Sequence, residues 1–184
     1  MTHTIFVSVK VKSADAQGCC NEVAALRSVV WKGIGFGLTS GVITTLGLII
    51  GLHSGTHSRL AVLAGLIVLA VADAFSDAMG IHVSEEAEME HSARELWETS
   101  SFTFLAKLFT SLTFFIPVAF LELSTMIVVS VSWGLLLITV FSFFMGRTQR
   151  QNPYKAIVEH IVIAVLVIVV AHFVGDVVYD MFGA

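Results

Sequence analysis

Asp73 and Asp77 stand one helical turn apart in a stretch, Leu60 to Met79, that is otherwise apolar. A carboxylate at the centre of a helix in hydrocarbon costs about 2.5–3.5 kcal/mol on insertion scales, so two on one face should look into a polar cavity or toward a cation. The plainer reading puts Asp77 at the headgroups and lets Asp73 bond to a neighbouring helix. Two such acids cannot both ionise cheaply in a low-dielectric wall, so a proton or a metal ion is expected between them. The chain continues with His82, Glu85, Glu86, Glu88, Glu90, His91, Glu95 and Glu98. On a helix, His82, Glu86 and Glu90 share one face, and Glu88, His91 and Glu95 share another. Carboxylates, imidazoles and the thioether of Met79 suit Mn, Fe or Zn better than Ca. The same residues also suit a fully solvated acidic helix. His172, Asp176 and Asp180 repeat the four-residue interval near the C-terminus, where they could relay protons or cap a span at the headgroups. His53 and His57 form a second, weaker cation candidate, or a pair of solvated loop histidines.

The elements that must carry these groups follow from composition. Of 184 residues, 56% are hydrophobic and 13% charged, with mean hydropathy +0.88. Soluble domains carry about 25% charged residues, so a water-soluble fold is excluded. Crossing a bilayer takes roughly 20 apolar residues in a helix. Five such windows exist, at about Val30–Leu52, Leu60–Met79, Phe102–Phe120, Met126–Met145 and Ile157–Val178. The fold expected is all-α: a polytopic bundle over 28–184, preceded by a cytoplasmic arm over 1–27. No Gly or Pro follows Gly80 before Ser100, so span two is expected to continue into the cytoplasm as an acidic helix over about 81–100. Lys10, Lys12, Arg27, Lys32, Arg94, Arg147, Arg150 and Lys155 gather on one side and Arg59 on the other, which puts the N-terminus in the cytoplasm and the C-terminus opposite. Lack of a signal or transit segment fits a prokaryotic plasma membrane.

Gly33, Gly37 and Gly41 fall on one face of span one, a spacing that lets backbones approach closely in lipid. Packing within the chain and a homodimer across that face are equally compatible with it. Adjacent Cys19 and Cys20 offer neither a relaxed mutual disulfide nor zinc-site spacing, and read as unreactive thiols. Net charge is −4 with scattered basic residues, so nucleic acid is not an expected partner. No hydrolase, metalloprotease, nucleotide-binding or dinucleotide-binding motif is present, and no enzyme activity is expected.

Two segments carry a family resemblance. Gly37 to Leu52, GLTSGVITTLGLIIGL, and Ala74 to Ser84, AFSDAMGIHVS, resemble the first-span and second-span motifs of the vacuolar iron transporters and the related yeast calcium cross-complementer. Pro117, Gly146–Arg147 and Ala171–Val178 fit more loosely. The resemblance implies a dimeric five-span transporter that exports Fe(II), and often Mn(II), from the cytosol in exchange for protons, with the first spans of two subunits lining the path and the Gly33, Gly37, Gly41 face as their interface. Divalent metal, with Zn a further candidate, would then be cargo and no cofactor permanently bound. The chain departs from the family at Ser40, where a first-span Asp is expected, at Asp77 for a Met, and at Ile81 for a Glu; Asp73 has no acidic counterpart. The implied route collects metal on Glu86, Glu90 and their neighbours, passes Ser40, Asp73 and Asp77, and leaves near His53 or by way of His172 and Asp176. The competing expectation is a non-transporting membrane scaffold or metal-responsive subunit whose acidic helix binds a partner.

Overall fold

The structure is a computed structural model that describes residues 30–88, 92–148 and 152–183. Among them every regular element is a helix: α1 (Val30–Thr56), α2 (Arg59–Glu88), α3 (Ala93–Thr113), α4 (Phe115–Phe120), α5 (Leu123–Thr148) and α6 (Pro153–Phe182). With α3 and α4 counted as one run, five of these are long and apolar enough to cross a membrane. The arm over 1–27, with Cys19 and Cys20, lies outside the described residues, as do Glu90 and His91.

Local chemistry sets the helix ends. His57 takes a left-handed turn, φ 48°, and Ser58 then caps α2 by accepting the Ala61 N–H at 3.3 Å. Pro117 has no N–H for the carbonyl one turn earlier, and the third span breaks at Phe114 into α3 and α4. Asn152 accepts the Tyr154 N–H at 3.1 Å, and Pro153 occupies the first turn of α6, where a missing N–H costs nothing.

The acidic stretch departs from expectation. It is not one helix over 81–100, because Ser92 has extended backbone (φ −71°, ψ 154°) and starts α3 with a capping box. The Ser92 hydroxyl accepts the Glu95 N–H at 3.4 Å, and the Glu95 carboxylate accepts the Ser92 N–H at 2.8 Å. The chain then turns back, and α3 packs along α2, with Phe75 and Phe104 rings 4.6 Å apart and His82 and Trp97 rings 4.7 Å apart. Because α2 runs on to Glu88, Asp73 sits at its middle, roughly 20 Å of helix from either end at 1.5 Å per residue.

α1 is the central helix, and its glycines explain how four neighbours fit around it. A Cβ at Gly33 would lie 2.6 Å from the Thr99 carbonyl oxygen, and one at Gly37 2.6 Å from that of Thr103. The Gly33, Gly37, Gly41 face therefore lies against α3 of the same chain, which corrects its assignment to a contact between subunits. On other sides Leu46 fills the space beside Gly134 of α5, Leu48 and Leu52 reach Gly65 of α2, and Gly51 and Gly55 meet Gly175 of α6. Val42, Leu46, Ile49, Leu66, Phe114, Met126 and Ile138 belong to the buried apolar core. In lipid such contacts hold helices by close packing rather than by exclusion of water.

Candidate functional site

The site is organised by a residue absent from the sequence expectations. Lys107, on α3, is 1% exposed, and its ammonium pairs with both Asp73 and Asp77 of α2. Ser40, on α1, completes the group. Its hydroxyl donates to Asp77 Oδ2 at 2.6 Å and accepts from Lys107 Nζ at 3.0 Å. Lys107 also donates directly to Asp77 Oδ2. Toward Asp73 the contact is ionic only: Nζ lies 2.6 Å from Oδ2 without the alignment of a hydrogen bond, and that oxygen has no donor aimed at it among the described residues.

Packing places these groups. The stem of Lys107 lies against Gly41, where a Cβ would meet Lys107 Cγ at 3.4 Å, and its N–H lies 3.1 Å from a Cβ built at Gly37. Larger residues at either glycine would push α3 away from α1 and separate Lys107 from Ser40. Asp73 and Asp77 keep 23% and 20% of their side-chain surface exposed, whereas Lys107 keeps almost none. The carboxylates are thus the more exposed members of the group and the ammonium the buried one. The positive charge expected between the acids is supplied by the protein itself.

The remaining metal candidates are dispersed. Met79 is half exposed and helps line an apolar cavity of about 380 Å³ with Phe75, Trp97 and Phe104. His82 lies 3.1 Å from the Ser100 hydroxyl, and since that hydroxyl donates to the Leu96 carbonyl, His82 Nδ1 is the donor. Glu86 and Glu88 are exposed, and Glu95 is committed to the cap of α3. Glu85, which sequence reasoning left out of the set, is the buried acid of this stretch and pairs with Lys32 of α1. Among the described residues no three of His, Cys, Asp and Glu converge to hold a metal ion.

At the opposite end α1 and α6 meet through Ser54. Its hydroxyl donates to Asp176 Oδ1 at 2.7 Å, and having one proton it accepts from His172 Nδ1 at 2.5 Å. His172 Nε2 is 3.5 Å from Asp176 Oδ2. The expected His172–Asp176 pair is therefore brought together, with Ser54 as a partner the sequence did not suggest. The His57 and Tyr179 rings meet at a tilt with centroids 4.7 Å apart, and His57 lies 5.8 Å from His53. Compared with models of known protein families and with curated proteins, the chain matches none.

Proposed function

We propose that this protein is a membrane transporter of divalent transition-metal cations of the Fe(II)/Mn(II) class, with Asp73 and Asp77 as the acids of its cation path. The observation that carries the reading is a lysine and two carboxylates gathered at mid-helix in spans otherwise apolar. Ionisable groups at such depth are costly to keep and mark ion or proton routes. Ser40, in the position where the resemblance implies an acid, contributes a neutral oxygen to the same group. Export from the cytosol in exchange for protons, a homodimer, a cytoplasmic N-terminus and a prokaryotic plasma membrane belong to this proposal through the resemblance and the distribution of basic residues. The His172–Asp176–Ser54 group would lie at the exit, and the Lys32–Glu85 pair at the entrance.

A second reading has an observation in its favour. Lys107 offsets one of the two acid charges without any metal, as a purely structural group in a scaffold protein would. Purified protein in proteoliposomes, offered Fe(II), Mn(II), Zn(II) and Ca(II), separates the two. The transporter takes up transition metal, loses flux in Asp77→Asn and is slowed in Asp73→Asn. A scaffold gives no flux above empty vesicles, and that result would end the transport reading.

A further inference from the structure

Resting on the reading of this site as a cation path, and deepening it, we propose that Lys107 is a tethered counter-cation. It holds the acid pair closed to monovalent ions and is displaced by a cargo of higher charge. The geometry has three parts. The ammonium already occupies the position between Asp73 and Asp77 where a small cation would bind, with the Ser40 oxygen as a further ligand. Its stem lies against Gly41 and its backbone against Gly37 and Gly41, so it is held at the site yet attached to a different helix from the acids. The acids keep part of their side-chain surface exposed and the ammonium almost none, so an incoming cation meets carboxylate before ammonium.

Charge then decides which ions enter. With Lys107 in place the group carries two formal negative charges and one positive. A sodium or potassium ion that replaced the ammonium would leave the carboxylates no better compensated, and the ion would surrender its hydration shell for nothing. A divalent ion that displaced the ammonium would neutralise both acids. Lys107 thereby sets the selectivity of the site by competition, a repulsive element as much as an attractive one. When cargo leaves, the ammonium returns, and the empty protein does not have to hold two bare carboxylates in a low-dielectric wall.

The test uses full-length protein with Lys107→Ala, which removes the ammonium and opens space for a free one. Melting is followed in choline, sodium and methylammonium chloride at one ionic strength. Wild type is expected to melt alike in all three. Lys107→Ala is expected to be less stable in choline and to recover in a saturable way with sodium or methylammonium, as ligand-linked stabilisation requires. Asp73→Asn/Lys107→Ala keeps the wild-type formal charge, folds more readily, and should show the same cation response through Asp77. In proteoliposomes, Mn(II) uptake by the wild type should ignore excess sodium, whereas uptake by Lys107→Ala should fall on the order of tenfold. Melting of both variants that is indifferent to the monovalent cation overturns the proposal. Absence of wild-type metal flux instead overturns the transporter reading, and the melting series still decides the role of Lys107.

Discussion

Replacing Lys107 with Met, which keeps the volume of the stem and removes its charge, should destabilise this protein far more than neutralising either acid. At an effective dielectric constant of 20, an ion pair near 4 Å is worth about 4 kcal/mol, and two carboxylates one turn apart, some 5–6 Å, repel by about 3 kcal/mol. Lys107→Met forfeits two attractions and leaves the repulsion uncompensated. The desolvation of the ammonium is saved, which brings the expected loss to about 3–5 kcal/mol. Asp73→Asn forfeits one attraction but removes the repulsion as well, so its net cost is about 1 kcal/mol. Asp77→Asn costs somewhat more, because Asp77 also accepts the directed bonds of Ser40 and Lys107. The double variant Asp73→Asn/Lys107→Met should be more stable than Lys107→Met alone, since it removes the repulsion that variant leaves behind. Reversible unfolding by sodium dodecyl sulfate in mixed micelles measures the series. If Lys107→Met costs no more than Asp77→Asn, the ammonium is not the countercharge of this pair and the electrostatic reasoning fails.

Two further substitutions test the architecture around the site. Gly37→Leu should destabilise the single chain, because a Cβ there already meets the Thr103 carbonyl oxygen at 2.6 Å and the Ala106 Cβ at 2.9 Å, and overpacking of this kind costs about 1–3 kcal/mol; unchanged unfolding with a changed mass in detergent would place that face between subunits instead. Ser92→Ala should cost about 1 kcal/mol by removing the cap of α3, whereas in one continuous helix over 81–100 the same change would be neutral or stabilising, so the sign of the shift in unfolding free energy decides where the helix ends.

The number and order of the spans were legible because twenty-residue apolar windows are a direct consequence of bilayer thickness. Their ends were not, since they depend on single capping contacts such as that of Ser58 with Ala61 and that of Asn152 with Tyr154. The acidic stretch shows the difference most clearly. Absence of Gly and Pro points to continuity, yet a serine three residues before a glutamate begins a new helix. Asp73 and Asp77 were recognisable from the cost of acid in hydrocarbon. Lys107 is not singled out by the sequence, because one charge among apolar residues does not disqualify a span. The signal was nonetheless present: a third apolar window with one lysine at mid-length, in a chain whose second window held two unexplained acids.

Glycine spacing was readable as close packing but not as to what packs there. Seven glycines of α1, Gly33, Gly35, Gly37, Gly41, Gly47, Gly51 and Gly55, are spread around the helix, which is the arrangement a central helix needs to admit neighbours on several sides. A helix meant to meet only a second copy of itself needs one small face. That distribution also ties packing to chemistry. The glycines opposite α3 bring Lys107 against Ser40 of α1, and those opposite α6 bring His172 and Asp176 to Ser54. Both polar groups therefore depend on how closely α1 is approached. A shift of α1 against either neighbour changes the site it serves, so motion of the central helix would act on the Lys107 group through Gly37 and Gly41 and on the Ser54 cluster through Gly51 and Gly55.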